Sequence, residues 1–232
     1  MKEKSVGVIG ASGQIGGHLC NALISRGWRV IGFSRSVRED GDLVWRKWSG
    51  EGEIDLEGVA AVINLSGEAI DQRWTKNRKA LFRKSRVDLT AGLSKSILNS
   101  DVEVLLNASA TGIYGDRGDE SLPEIASAGK SYLAELCRDW ENAVKVPEKV
   151  RTIFLRTGVV LGKDSRAWEK MSSIFKWGIG GKLGDGKQWM PWIHLKDEVE
   201  GIVFCLENGI EGPTNLVAPE SVRNAEFTKA VG

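Results

Sequence analysis

The segment Gly10-Ala11-Ser12-Gly13-Gln14-Ile15-Gly16 joins a short apolar run, Val6-Gly7-Val8-Ile9, to an amphipathic stretch of helical period. Few folds accommodate such a junction. A tight turn from strand to helix needs a residue without Cβ, and so does close approach of backbone to a pyrophosphate. A third glycine lets the helix pack closely on the strand. The free N–H groups that open the helix then face the negative charge. A bare structural turn is the competing reading. The strand before, the helix after and the N-terminal position together favour a dinucleotide site.

A second predicted strand, Arg29-Val30-Ile31-Gly32-Phe33, ends at Ser34-Arg35. Sites for NAD place a carboxylate near this point, about 20 residues beyond the glycines, to accept from the ribose 2′-hydroxyl. Here a hydroxyl and a guanidinium stand instead. They suit a 2′-phosphate, which a carboxylate would repel. The expected cofactor is NADP(H); an ordinary surface arginine is the alternative.

Strand and helix signals alternate along most of the 232 residues, which predicts an α/β fold: a doubly wound parallel sheet with helices on both faces. Strands are expected at 5–10, 28–33, 43–48, 59–65, 102–109 and 151–156, with a later one near 213–217. Helices are expected at 14–26, 75–98, 128–145 and 196–208. After Arg156 the glycines 178, 180, 181, 184 and 186 interrupt a Trp-containing stretch, which reads as loops. The expected division is a core over 1–156 and, over 157–232, mainly a small substrate lobe, with the strand near 213–217 returning to the core. Asn224 reads as the N-cap of a helix that has run only to Gly232, so a truncated C-terminus is expected.

A net charge of +1 gives no field for nucleic acid or an anionic membrane. No apolar run reaches membrane-spanning length, and no signal-peptide pattern opens the chain. Cys20, Cys137 and Cys205 are odd in number and widely spaced, as expected in a reducing cytoplasm. With His18 and His194 the only histidines, no metal site is expected. The oligomeric state is not readable.

Several residues resist a plain core assignment. The helix from Thr75 carries an inward stripe at Phe82, Leu89, Leu93 and Ile97, and Arg86 falls on it. A guanidinium facing a core needs an anion or several acceptors, unless its stem snorkels past the edge. Lys76, Arg78, Lys79, Arg83 and Lys84 read as a solvated face. Asn64-Leu65-Ser66-Gly67-Glu68 closes the fourth strand, at the end where a doubly wound sheet places its ligand crevice. Ser109 and Thr111 close the fifth; such hydroxyls polarise a substrate carbonyl or simply stabilise a turn.

Together these residues resemble the extended short-chain dehydrogenase/reductases, in particular an atypical branch of the NAD(P)-dependent epimerase family. The resemblance rests on Gly10 to Gly16, Ser34-Arg35, Asn64 to Glu68, Arg73-Trp74 and Ser85-Arg86. Further along it rests on Tyr114-Gly115-Asp116, Cys137 to Glu141, Leu155 to Leu161 and Trp192-Ile193-His194. It implies a Rossmann-type core, with Gly10, Ser12, Gly13, Gln14, Ile15 and Gly16 on the pyrophosphate. Ser34 and Arg35 would take the 2′-phosphate, and Leu65, Ser66, Arg86 and Val160 the rest of the dinucleotide. It also implies a further C-terminal segment.

The superfamily's catalytic pair, a tyrosine followed four residues later by lysine, has no counterpart. Gly118 stands four residues after Tyr114 and Leu136 four after Tyr132. Leu133 and Cys137 occupy the aligned tyrosine and lysine places, and Ala110 the usual hydroxyl place. The remaining acid/base candidates are Tyr114, His194, Ser109 and Thr111, His194 because its intrinsic pKa is nearest neutrality. Trp74, Trp177, Trp189 and Trp192 offer stacking surfaces for a sugar or aromatic substrate. The expectation is an NADP(H)-dependent oxidoreductase or epimerase acting on a small carbonyl compound or sugar derivative. The rival is a non-catalytic NADP(H)-binding regulatory protein, some relatives carrying cell-division labels.

Overall fold

The computed structural model describes residues 4–36, 43–163, 165–177 and 180–231. Strand β1 (Ser5–Ile9), buried throughout, feeds α1 (Gln14–Ser25), followed by β2 (Arg29–Ser34), β3 (Val44–Lys47) and β4 (Ala61–Asn64). A long helical segment comes next: α2 (Lys76–Arg83), a π-helical turn over Lys84–Asp88, and α3 (Leu89–Leu98). Then come β5 (Val104–Ala110), α4 (Tyr132–Asn142), β6 (Arg151–Thr157), β7 (Val159–Leu161) and α5 (Arg166–Lys176). The chain continues with β8 (Trp189–Met190), β9 (Trp192–His194), α6 (Leu195–Glu207), β10 (Gly212–Leu216), β11 (Val222–Arg223) and α7 (Asn224–Val231).

Seven strands form one sheet in the order β10-β6-β5-β4-β1-β2-β3, every pairing parallel. Parallel strands need covered faces. On one face Val6, Val8, Ile63 and Leu106 pack with Leu19 and Leu23 of α1 and with Ile202 of α6. On the other, Ile31, Val62 and Leu105 pack with Leu93 and Ile97 of α3. Alternation along each strand feeds the two clusters in turn, each fully buried Leu or Ile stabilising by roughly 1.5–3 kcal/mol.

The expected doubly wound sheet is the observed one, and its seven strands lie within two residues of their expected ends. The helix expected over 128–145 is shorter: Ser131 accepts from the Ala134 N–H and caps its start. The stretch after Arg156 is more ordered than the loops expected there. Ser165 caps α5 by accepting from the Trp168 N–H, β7 pairs with β9, and β8 pairs with β11. The glycines that dominate this stretch mask those short elements. Asn224 does begin a helix, but its side chain accepts from Leu183 N–H rather than from its own first turn.

Candidate functional site

Beyond β1 the chain winds to one side of the sheet through β2 and β3, and from β4 onward it winds to the other. A crevice opens at the carboxyl ends of the strands where the winding reverses. Here it is a cleft of about 610 Å³, lined by the β1–α1 turn at Ile9, Gly10, Ser12 and Gly13, the end of β2 at Phe33 to Ser36, and the loops Trp48 to Glu51 and Leu65 to Glu68. Leu81, Lys84, Ser85 and Leu89 complete it.

Its floor is built for an anion. Thr75, Ser131 and Ser165 cap their helices with side-chain oxygens, whereas Gly13 at the head of α1 has no side chain to do so. The first turn of α1 carries no acidic residue, so its N–H groups and dipole remain available to a negative ligand. Gly10 takes φ +86°, and a Cβ there would lie 3.1 Å from the Leu65 backbone. A Cβ on Gly16 would collide with the Gly10 carbonyl and lie 2.9 Å from the Ala11 Cα, so helix and turn close only on glycine.

Of the residues expected on a dinucleotide, the cleft gathers Gly10, Ser12, Gly13, Ser34, Arg35, Leu65 and Ser66. Arg35 is exposed, with no carboxylate partner among the described residues. Gln14, Ile15 and Gly16 lie one step behind, in the first turn of α1. Val160 sits on β7 opposite Ile193 of β9 and packs against the same core cluster as Leu65.

Arg86 is half-buried. Its guanidinium lies over the Trp140 ring at 5.2 Å and against Gly67, with Nη1 donating at 3.4 Å to Ser85 Oγ. Among the described residues no carboxylate pairs with it, and burial lowers its pKa. Its platform is tied from beneath: Trp140 Nε1 donates to Thr90 Oγ1 at 3.0 Å, and Asn64 Nδ2 to Thr90 Oγ1 at 3.1 Å and Asn107 Oδ1 at 2.8 Å. Asn64 Oδ1 in turn accepts from Ser66 Oγ. Lys84 and Ser85, which open the π turn, line the cleft, and Arg86 follows them behind Gly67. Such turns recur at functional sites, and Ser85 Oγ accepts the Glu68 N–H at 2.9 Å.

The acid/base candidates lie outside the cleft-lining set. Tyr114 is buried; its hydroxyl donates to Asn215 Oδ1 at 2.6 Å and accepts from Arg156 Nη1 at 3.0 Å. Ser109 Oγ donates to Glu141 Oε1 at 2.6 Å, and that carboxylate also holds Arg156 through Nε and Nη2, both at 2.9 Å. Both hydroxyls therefore belong to one buried ion-pair network. Thr111 reaches the Thr157 carbonyl at 3.4 Å. His194 is exposed and its Nδ1 accepts from Lys196 N–H, capping α6, in a separate cavity with His18, Lys163 and Lys196. Of the stacking candidates, Trp74 pairs with Tyr132 at 5.7 Å and Trp189 lies under Arg223.

The loop Trp48 to Glu51 carries no sequence signal, and Lys84, expected on a solvated face, is exposed as expected. Both line the cleft. No periodicity marks a loop, and helical phase places Lys84 in solvent without showing that a cleft opens there.

A parallel sheet with an uncapped, acid-free helix start at its switch point and a basic residue ending β2 defines a dinucleotide-binding α/β protein. The chain belongs to the NAD dependent epimerase/dehydratase family, whose model matches residues 6–218. An epimerase family protein of Mycobacterium bovis is 39% identical over 238 residues, covering 100% of this chain and 79% of that one. The human epimerase family protein SDR39U1, solved with NADPH, superposes with a TM-score of 0.87 at 29% identity, over 98% of this chain and 80% of that one. A nucleoside-diphosphate sugar epimerase of Corynebacterium glutamicum gives a TM-score of 0.86 at 32% identity, over 99% of this chain and 49% of that one.

Proposed function

We propose that this chain binds NADP(H) and acts as an epimerase-like oxidoreductase on a carbonyl or carbinol carbon of a small sugar derivative. The carrying observation is the uncapped start of α1 in one cleft with Ser34 and Arg35. In this reading Gly10, Ser12 and Gly13, backed by Gln14, Ile15 and Gly16, receive the pyrophosphate. Ser34 and Arg35 receive the 2′-phosphate, and Leu65, Ser66, Arg86 and Val160 line the remainder. When bound, the nicotinamide supplies the hydride chemistry. The sugar-derivative substrate is supported by the name of the C. glutamicum relative. Buried, unpaired Cys20, Cys137 and Cys205 support a cytoplasmic setting.

Among the chain's own groups, His194 commits Nδ1 to the α6 cap and leaves Nε2 to exchange a proton. Tyr114, Ser109 and Thr111 are the remaining candidates to hold or move one. A second reading, a non-catalytic NADP(H)-binding regulatory protein, draws support from the engagement of Ser109 and Tyr114. It also draws support from Cys137, whose thiol burial pushes up to about 11.

Titration with NADPH and NADH tests the first part. NADPH binds tighter, and Arg35→Ala removes most of the difference; equal wild-type affinities refute the assignment. A screen of carbonyl compounds for NADPH oxidation tests the second, with turnover weakened by Tyr114→Phe or His194→Ala. Saturable NADPH binding with no turnover in a broad screen favours the regulatory reading.

A further inference from the structure

The cleft is straddled by an ion pair. Glu51, in the loop after β3, and Lys84, at the start of the π turn, both line it and meet at 2.6 Å. They come from opposite walls. Glu51 is placed by its own loop: Ser49 Oγ donates to the Glu51 carbonyl at 3.1 Å and accepts the Glu51 N–H at 3.2 Å. That loop is fastened to the end of β2, because Trp48 N–H donates to the Ser34 carbonyl at 2.8 Å. Lys84 is thus paired with a loop that is anchored on the end of β2, in the cleft that Ser34 and Arg35 also line.

The charges on the cleft wall explain why this matters. Its lining side chains include two cations, Arg35 and Lys84, and two anions, Glu51 and Glu68. Glu68 is drawn to Arg78 at 3.5 Å, while Glu51 holds Lys84. A wall so balanced offers little attraction to a polyanion unless Lys84 exchanges its carboxylate for a phosphate. Both groups are solvent-exposed, where water and salt screen an ion pair so that it contributes little, and the exchange costs correspondingly little. A dianionic phosphate is the stronger partner for an ammonium.

Resting on the NADP(H) reading, we propose that Lys84 is a second cation for the 2′-phosphate, held in reserve by Glu51, so that cofactor binding swaps one anion for another across the cleft. Glu51 then acts as an internal competitor that sets how strongly the phosphorylated cofactor is preferred.

Binding of 2′,5′-ADP and 5′-AMP, measured by calorimetry at low ionic strength, isolates the 2′-phosphate. Lys84→Gln weakens 2′,5′-ADP by about three- to tenfold and leaves 5′-AMP within about twofold. Glu51→Gln tightens 2′,5′-ADP by a similar factor, and the gain shrinks when Lys84 is also replaced, because the two residues are coupled. Equal effects of Lys84→Gln on both ligands, or none on either, overturn the proposal. So does a Glu51→Gln gain that is the same with and without Lys84, which reduces Glu51 to a plain repulsive charge. A wild-type chain that binds neither ligand overturns the cofactor reading itself, an outcome distinct from binding indifferent to residues 51 and 84.

Discussion

A Cβ built on Gly67 would lie 2.9 Å from Nη2 of Arg86. The loop after β4 and the π turn between α2 and α3 therefore approach as closely as a residue without a side chain permits. The guanidinium is the movable partner, so Gly67→Ala displaces Arg86 rather than the sheet. We expect NADPH affinity to fall about tenfold, the range for weakening one charge-assisted hydrogen bond, while the unfolding midpoint barely moves. An unchanged dissociation constant would show that Arg86 does not face the cofactor.

Glu198 is a buried carboxyl on α6. Oε1 accepts from Thr157 Oγ1 at 2.8 Å and Oε2 has no hydrogen-bond partner among the described residues. Burial raises its pKa from 4.5 to about 7, so the folded chain holds this proton more tightly than the unfolded chain. The sign follows: its contribution is complete below about pH 4.5, is lost as pH rises toward 7, and changes no further above. At roughly 1.4 kcal/mol per unit the loss is on the order of 3 kcal/mol. Glu198→Gln should flatten this slope and leave the protein more stable than wild type at pH 8. Parallel pH profiles of the two proteins in urea unfolding would sink the idea.

Arg156 and Glu141 form a nearly buried bidentate pair that also holds Ser109 and Tyr114. Arg156→Met leaves a buried carboxylate without its partner and should cost about 3 kcal/mol or more. Replacing Glu141 by Gln in the same chain should recover part of that loss, since no lone charge remains. Denaturant midpoints of the single and double variants decide it, and additive losses would contradict the pairing.

The sheet was legible because strand runs such as Val6 to Ile9 and Val104 to Leu106 are continuous and free of polar side chains, the pattern of strands covered on both faces. The glycines at 10, 13 and 16 were legible because each has a backbone reason to lack a side chain. What escaped is set by tertiary placement. Lys84 is solvent-exposed as its helical phase predicts, and its pairing with Glu51 across the cleft depends on a loop remote in sequence. Glu51 sits in a loop with no period, positioned by Ser49 and by Trp48 on β2. The engagement of Tyr114 depends on Asn215, 101 residues later, a separation that local pattern does not encode.

Because Asn215 belongs to β10, which among the described residues pairs only with β6 at the margin of the sheet, the tether on Tyr114 is the last part of that wall to be synthesised. A ribosome must emit residues 212–216 before the outer rim of β6 is shielded, and until then its backbone groups offer a template for stray strands. Nascent chains halted ahead of Gly212 should accordingly clump or recruit chaperones, whereas those released after Leu216 should not.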